Sequence, residues 1–194
     1  MLNAQRLSTH PRGRMHVIAG VAVLSAEEAG VTVSGTLTTR LLMRMLTGDP
    51  VEAMESAKEV IGLGTRVNPM LLKDIASNKI YKKWSRIAAV YALGFLAHKA
   101  STSALMRILQ DQRENTQLRG HAAEALGNMR EPRAVLALGK VLWADDHTSV
   151  KKWCVYALSE IGSDRAGSLL KQFEATNPVG VLRRELKSRL YKFS

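Results

Sequence analysis

Residues 119–142 read RGHAAEALGNMREPRAVLALGKVL. The first part carries alanine and leucine at helical spacing, and the part that follows Ala134 is again apolar at helical spacing. Between them, a turn that includes Gly127 leads to Pro132, where a new helix can start. The stretch therefore predicts the end of one helix, a tight turn and a second helix.

Variants of this unit recur along the chain and can be aligned on the alanine of A-L-G or its equivalent. Ala92, Ala125 and Ala157 follow one another at 33 and 32 residues, and Ala57 fits more loosely, 35 residues before Ala92. A basic residue stands six positions before the aligned alanine in three copies: Arg86, Arg119 and Lys151. This repetition predicts a stack of helix pairs, in which no unit buries both of its faces alone.

Two features of the repeat have a physical explanation. Small residues mark the packing side of one helix per repeat, which lets neighbouring helices approach closely. Acidic or amide residues stand ahead of each basic residue: Asn78, Asp111 or Glu114, and Asp146. We expect these residues to bond the repeated Arg or Lys from one repeat to the next and to satisfy loop amides and helix ends.

Residues 118–142, LRGHAAEALGNMREPRAVLALGKVL, closely resemble VRxxAAxALGxxGDPRAVxxLxxxL, the pattern of HEAT-like repeats of the phycobilisome-lyase type. The resemblance covers residues 78–176 well and 36–77 loosely, and it does not cover 1–35. It implies an all-α, right-handed α-solenoid of the armadillo type, with the A-L-G helices on the concave side. It also implies that binding takes place on that side or along the inter-repeat loops.

The repeat pattern divides the chain into a non-repeat N-terminal segment, 1–35, and a HEAT-like domain, 36–194, of about four to five helix pairs. Apolar spacing and turn signals predict helices at 36–46, 51–61, 70–77, 102–110, 132–143, 164–174 and 178–193, besides the A-L-G helices. In the first segment, residues 17–29 fit a helix, whereas the valines up to Val33 followed by Ser34 and Gly35 favour a β-hairpin.

The chain of 194 residues has 28 Lys and Arg against 17 Asp and Glu, which gives a net charge of +11. This charge favours an acidic partner, such as nucleic acid, an anionic membrane surface or an acidic protein, unless the cations only solvate helix surfaces. The single Cys154 excludes an internal disulfide, and no apolar run reaches the ~18 residues of a membrane span. We expect a cytoplasmic protein, although a basic start before the apolar residues 17–26 also resembles an export signal within residues 1–26.

One face of the A-L-G helices mixes aromatic, basic and acidic side chains, which suits protein docking on a rigid groove. We predict that a partner protein binds seven of them: Trp84, Tyr91, His121, Glu124, Lys152, Trp153 and Tyr156. The alternative is that the tryptophans and tyrosines fill gaps between helices while the cations are solvated.

A second predicted site is a patch of basic residues that binds anions. It consists of Lys82, Lys83, Arg183, Arg184, Lys187 and Arg189. Bases stacked on Trp or Tyr would extend this site to nucleic acid. The competing interpretation of the terminal helix is a polar cap that keeps the array soluble.

Signals for catalysis are few. The histidines form no H-E-x-x-H motif, and no second metal ligand lies at helical spacing. His121 and Glu124 fit either an acid–base pair or a surface pair on one helix face. Cys154 lies on the packing side, where a buried spacer is expected rather than a nucleophile. We therefore predict no catalytic residue, no metal and no cofactor, and we favour a non-enzymatic protein while leaving an enzyme open.

Some enzymes are built from related repeats and can be compared motif by motif. Deoxyhypusine hydroxylases carry repeated His-Glu pairs for iron, whereas no histidine is followed by glutamate here. Alkylpurine DNA glycosylases made of HEAT-like repeats have a basic concave face with Trp, Arg and a catalytic Asp. This chain is similar in charge and tryptophans, but its concave carboxylates are Glu124 and Glu160.

The sequence thus favours a scaffold or adaptor that holds a partner protein on the concave face of the solenoid. The first alternative is a nucleic-acid-binding HEAT-like protein, in DNA repair or associated with RNA, which the charge of +11 favours. The second is a lyase or chaperone-like subunit that acts on a cofactor-bearing protein, which the resemblance to the lyase-type repeats implies.

Overall fold

The computed structural model describes residues 33–145, 147–176 and 178–193. Ten α-helices run through these ranges: α1 Val33–Leu46, α2 Pro50–Leu63, α3 Pro69–Ser77, α4 Lys83–Phe95, α5 Thr102–Gln110, α6 Thr116–Asn128, α7 Val135–Ala144, α8 Thr148–Ile161, α9 Asp164–Ala175 and α10 Gly180–Leu190. The all-α prediction is confirmed, since these ranges contain no strand. None of their helices combines the length and the apolar character that crossing a membrane requires.

Side chains cap the starts of four of the described helices: α2, α3, α6 and α9. Asp49 accepts hydrogen bonds from the amides of Val51 and Glu52 at the start of α2, and Asn68 caps α3 in the same way. A 3₁₀ turn over Pro132–Ala134 precedes α7, which therefore begins three residues later than predicted.

The two ends of the array differ from the prediction. α1 begins at Val33, three residues before the predicted start, so that Val33, Ser34 and Gly35 are helical rather than the end of a hairpin. The rest of the predicted hairpin lies outside the described residues. At the other end, α10 stops at Leu190 and a 3₁₀ turn follows.

The helices form two layers. The first layer consists of α2, α4, α6, α8 and α10, which pack side by side in that order. The second layer consists of α3, α5, α7 and α9, each packed against the first-layer helix that follows it, and α1 packs on α2 and α4. The core lies between the layers and contains the fully buried leucine of each A-L-G or A-L-S triplet: Leu93, Leu126 and Leu158. This order is that of the predicted α-solenoid.

Neighbouring first-layer helices approach closely where the glycine of A-L-G meets the aligned alanine of the next copy. A Cβ on Gly94 would lie 2.7 Å from the Cα of Ala125, and a Cβ on Gly127 would lie 2.7 Å from the Cα of Ala157. Neither position has room for a side chain, because backbone atoms of the next helix occupy the space. The glycine–alanine pair therefore sets the distance between repeats.

A buried arginine, Arg86, joins three segments at the junction between α4 and α6. Its Nε donates to the carbonyl oxygen of Ala76 at 3.0 Å, and its Nη1 donates to Glu114 at 2.9 Å. Glu114 also pairs with Lys79 at 3.0 Å. Burial alone would raise the pKa of Glu114, but the hydrogen bonds from Arg86 and Lys79 outweigh it and lower the pKa. Of the two predicted acids, Glu114 binds the arginine, while Asp111 pairs with Lys79.

Arg119 repeats this arrangement one copy later. It is 1% exposed; its Nε donates to the carbonyl oxygen of Leu109 at 2.9 Å, and its Nη2 donates to Asp145. Burial opposes ionisation of Asp145, yet hydrogen bonds from the His147 amide and Arg119 lower its pKa. The predicted bonding from repeat to repeat is confirmed at these two junctions, with Asp145 in the role expected for Asp146, which lies outside the described residues.

Candidate functional site

The seven residues predicted to bind a partner lie on three consecutive first-layer helices. In chain order they are Trp84 and Tyr91 on α4, His121 and Glu124 on α6, and Lys152, Trp153 and Tyr156 on α8. All seven are half-buried. Each therefore packs partly against the array and presents the rest of its surface to solvent, so that gap filling and binding concern the same side chains.

Three ring systems on α6 and α8 are in contact, and we call His121, Trp153 and Tyr156 the aromatic stripe. The rings of His121 and Trp153 are stacked with centroids 6.4 Å apart, and Tyr156 meets Trp153 edge-on at 5.6 Å. Gly120 makes room for the indole, because a Cβ there would lie 2.7 Å from Cδ1 of Trp153. The glycine thus fixes how closely the tryptophan lies against α6.

Hydrogen bonds orient two of the three rings. The Tyr156 hydroxyl donates to Oδ1 of Asn128 at 2.8 Å, and Nδ1 of His121 lies 2.9 Å from Oε2 of Glu124. Burial raises the pKa of Tyr156, with smaller contributions from nearby carboxylates, so the phenol stays protonated at neutral pH. Nε1–H of Trp153 has no acceptor among the described residues, which leaves it available to a bound molecule.

Ion pairs line the side of the stripe that faces α10. The Arg189 guanidinium lies 4.5 Å from the centroid of the Tyr156 ring and donates to Glu160 at 3.1 Å and to Glu185 at 2.5 Å. Lys192 donates to Glu160 at 2.8 Å, and this hydrogen bond is the main cause of the lowered pKa of Glu160. The cations on this side are therefore paired with carboxylates of the same chain.

The remaining predicted residues lie outside this contact group. Lys152 reaches a carboxylate of α10 at 3.9 Å. Tyr91 packs on Phe95 with centroids 4.7 Å apart. Trp84 stands seven residues before Tyr91, about 10 Å along α4 at 1.5 Å per residue, and Nζ of Lys83 lies 4.8 Å from its ring centroid. The structure thus brings together His121 and Glu124 of α6 with Trp153 and Tyr156 of α8, and it leaves Lys152 and the predicted residues of α4 outside this group.

The six predicted anion-binding residues lie at two separate places. Lys82 and Lys83 stand at the start of α4, whereas Arg183, Arg184, Lys187 and Arg189 belong to α10. In the first layer, α6 and α8 lie between these helices. Lys82 donates to the carbonyl oxygen of Thr47 at 2.7 Å, and Lys83 donates to Gln117 at 3.1 Å. The six cations therefore do not form one continuous patch.

Groups capable of covalent or metal chemistry are few near the stripe. Cys154 is fully buried, and burial raises the pKa of its thiol. In the described ranges, no three His, Cys, Asp or Glu side chains are grouped as metal ligands would be. What the stripe offers is a half-buried aromatic surface with one free hydrogen-bond donor, which is suited to non-covalent binding.

The seven residues predicted to bind a partner do not include Gly120, Asn128 and Glu160, which shape the stripe and its surroundings, although the repeat spacing places Asn128 and Glu160 on the same concave face. Gly120 occupies the position of Ile87 in the preceding copy, and a glycine in mid-helix is a signal of close approach. Asn128 and Glu160 are 32 residues apart and occupy the same repeat position, one turn after the aligned alanine. Their role depends on contacts across helices, which spacing within one helix does not reveal.

Comparison with known proteins agrees with the repeat architecture. The family model of HEAT repeats matches residues 71–158 and 112–189. The structure of the complex of CpcE and CpcF of phycocyanin lyase from Nostoc sp. PCC7120 contains a similar chain, with a TM-score of 0.68 and 18% sequence identity. The similarity covers 82% of this chain and 99% of that chain. At this identity it shows the fold alone.

A curated relative shares part of the sequence. Deoxyhypusine hydroxylase-B of Oryza sativa subsp. japonica is 34% identical over 93 residues. These residues make up 48% of this chain but only 30% of the relative, so the match spans less than a third of that protein's length. The predicted HEAT-like repeats are confirmed by these findings.

Proposed function

We propose that this chain, which belongs to the HEAT-repeat family, is a protein-binding scaffold that docks a segment of a partner protein on the aromatic stripe. The observation that carries this proposal is the contact group of His121, Trp153 and Tyr156, which is half-buried and packed at the surface of two adjacent helices. Tryptophan and tyrosine in such surroundings are enriched among the residues that dominate protein interfaces.

The stripe is organised before a partner arrives. Glu124 and Asn128 hold the rings of His121 and Tyr156, so little side-chain freedom is left to lose on binding. The free Nε1–H of Trp153 can donate to a backbone carbonyl of the docked segment. Apolar contact with the rings then supplies affinity, and the indole donor fixes the direction of the segment.

Peptides selected from a displayed random library for binding to the whole protein provide the test. We expect Trp153→Ala to weaken the selected peptides about thirtyfold or more, since interface anchors contribute at least ~2 kcal/mol. Trp143→Ala is the matched control, because Trp143 lies on α7 in the other layer, is 40% exposed and also packs edge-on against a ring, that of Phe173. This control should leave the affinity unchanged.

Urea unfolding of each variant separates lost binding from lost folding. If Trp153→Ala unfolds the array, Trp153→Phe is the variant to test, because it keeps an aromatic ring and removes the hydrogen-bond donor. We expect it to weaken peptide affinity about fivefold, the loss expected for one hydrogen bond. Selected peptides that bind both tryptophan variants as tightly as the wild type would refute docking on the stripe.

The rival function, nucleic-acid binding, is favoured by the net charge of +11. Around the stripe, however, Arg189 and Lys192 are already paired with carboxylates. Titration with mixed-sequence single-stranded DNA and RNA at 50 and about 200 mM salt distinguishes the two functions, because binding to phosphates falls by orders of magnitude over this range. Tight binding at the lower salt that collapses at the higher salt would favour the rival.

The third function, a subunit that acts on a cofactor-bearing protein, receives support only from the likeness in fold to a chain of the phycocyanin lyase complex. That complex contains two proteins, CpcE and CpcF, which is compatible with a protein partner for this chain as well. The sequences of the selected peptides can be compared with the segments that flank cofactor attachment sites in cofactor-bearing proteins. A match would favour this function over that of a general scaffold.

A further inference from the structure

Two cavities at the edge of the array are copies of one another. The first, of about 210 Å³, lies between the ends of α3 and α5, and the second, of about 150 Å³, lies between α5 and α7. Six lining positions of the first recur 33 residues later in the second: Ser77 and Gln110, Lys79 and Gln112, Arg86 and Arg119, Arg107 and Lys140, Ile108 and Val141, Asp111 and Ala144. The repeat thus builds the same cavity twice.

The floor of each cavity is a neutralised ion pair. Arg86 pairs with Glu114 in the first cavity, and Arg119 pairs with Asp145 in the second. These groups are held by the junctions between repeats and have satisfied their charges there. A ligand is therefore not needed to complete the floor, and the binding chemistry of the cavities lies at the rim.

The rim of each cavity carries one exposed cation without a partner. Arg107 and Lys140 occupy the same repeat position on α5 and α7, and neither forms an ion pair or hydrogen bond through its charged group with any described residue. Beside each cation stands a buried aliphatic side chain, Ile108 in the first cavity and Val141 in the second. Each cavity thus combines an apolar wall with a free positive charge.

We propose that these two cavities bind two glutamate side chains, spaced three residues apart, of an acidic segment of a partner protein. The methylene groups of a glutamate would pack on Ile108 or Val141, and its carboxylate would reach Arg107 or Lys140. A phosphodiester carries a charge but no aliphatic stem, so it would leave the apolar wall without a contact. This site lies beyond the aromatic stripe and uses none of its residues.

The repeat spacing predicts the sequence of the segment. Neighbouring helices of one layer lie about 8–10 Å apart, and a polyproline II chain, which has three residues per turn, advances about 3.1 Å per residue. Two carboxylates that enter adjacent cavities should therefore be three residues apart. The preferred pattern is Glu-x-x-Glu in polyproline II conformation, which places both glutamates on one face of the segment as it crosses the ends of α5 and α7.

The experiment is a nuclear magnetic resonance titration of the whole protein at low, constant ionic strength. The probe is a peptide containing Glu-Gly-Ser-Glu in a Gly-Ser background, compared with a Glu-Glu-Gly-Ser peptide and a Gln-Gly-Ser-Gln peptide. We expect the first peptide to bind more tightly than the other two and to shift amide signals near the ends of α5 and α7. The double variant Arg107→Ala, Lys140→Ala should weaken it on the order of tenfold, since two charge contacts are lost.

The double variant Lys58→Ala, Arg165→Ala is the matched control. Both cations are exposed, have no partner among the described residues and lie away from the cavities, so the control removes the same two charges. An equal loss in both double variants would overturn the proposal, because binding would then follow net charge. Equal affinity for the two glutamate peptides would overturn the spacing, and inorganic phosphate binding at the same amides as tightly as the peptide would assign the cavities to a simple anion.

Discussion

The two inner junctions, which join α4 to α6 and α6 to α8, are built differently from the last junction, between α8 and α10. Inside, Gly94 and Gly127 bring backbone within contact of the next helix, and a buried arginine crosses to the following repeat. At the last junction Ser159 replaces the glycine, and its buried hydroxyl has no hydrogen-bond partner among the described residues. Lys151 stands at the arginine position and is half-buried.

Polar contacts at the surface take over at the last junction. Arg189 and Lys192 converge on Glu160, and Arg189 also covers the Tyr156 ring. Side chains of these ion pairs are 22–33% exposed, whereas those of Arg119 and Asp145 are 1% and 3% exposed. Departure from the repeat consensus therefore replaces dry packing by solvated ion pairs, which contribute less to stability and respond more to salt.

Arg119→Met should have the largest effect on this comparison. The change leaves the Asp145 carboxylate buried without its guanidinium partner, which costs about 3–5 kcal/mol of unfolding free energy. Arg86→Met should cost less, about 1–3 kcal/mol, because Glu114 keeps the ion pair with Lys79 at 3.0 Å. Urea unfolding of both variants measures the difference.

The double variant Arg119→Met, Asp145→Leu serves as the control, because it removes the whole buried pair. Apolar replacement of both partners is often close to neutral, so much of the lost stability should return. Equal costs for Arg86→Met and Arg119→Met would show that Lys79 does not compensate, and the two inner junctions would then be energetically alike.

Gly127→Ala should lower the free energy of unfolding by less than Arg119→Met does. Ser159→Ala is the corresponding change at the last junction, because Ser159 occupies the repeat position of Gly127. We expect Gly127→Ala to cost up to about 2 kcal/mol, because overpacking costs about 1–3 kcal/mol and removing a mid-helix glycine returns about 1 kcal/mol. Ser159→Ala removes an unsatisfied buried hydroxyl and should be neutral or slightly stabilising. Thermal unfolding of the pair would contradict this account if both changes destabilised the protein equally.

The sequence predicts the inner junctions because repetition exposes them. Arg86, Arg119 and the A-L-G glycines stand at fixed repeat positions, and close packing explains why those positions need those residues. The acid that binds Arg119 is less predictable, since Asp145 and Asp146 are adjacent in a loop and only the folded geometry selects one.

The stripe is predicted only in part, because its residue types do not recur in every copy of the repeat and one of its contacts involves the final helix. His121 and Trp153 share a repeat position, so their stacking follows from the alignment, but Ala88 in the preceding copy breaks the column. The pairing of Tyr156 with Arg189 depends on how the final helix docks, and α10 has no counterpart in the repeat pattern. Trp84 shows the converse: residue type marks it as a binding candidate, whereas its position on α4 separates it from the others.

Arg189→Met is the smallest and most local change. We expect it to weaken the docking of α10 by about 0.5–1 kcal/mol, and hydrogen exchange should then speed up for α10 amides but not for α6 amides. Lys187→Met is the matched control, since Lys187 lies on the same helix, is exposed and has no partner among the described residues.

In the wild type, 1 M salt should reproduce part of the effect of Arg189→Met on the exchange of α10 amides. Acid should also weaken the docking of α10, because folding lowers the pKa of Glu160. The ion pairs of Glu160 therefore contribute fully to stability above about pH 4.5, the ordinary pKa of glutamate, and this contribution is lost as the pH falls through the lower pKa of the folded state. If α10 amides exchanged as slowly as α6 amides in every variant and at both salt concentrations, the last junction would be as stable as the inner junctions. The inference that solvated ion pairs stabilise a junction less than buried packing would then be wrong.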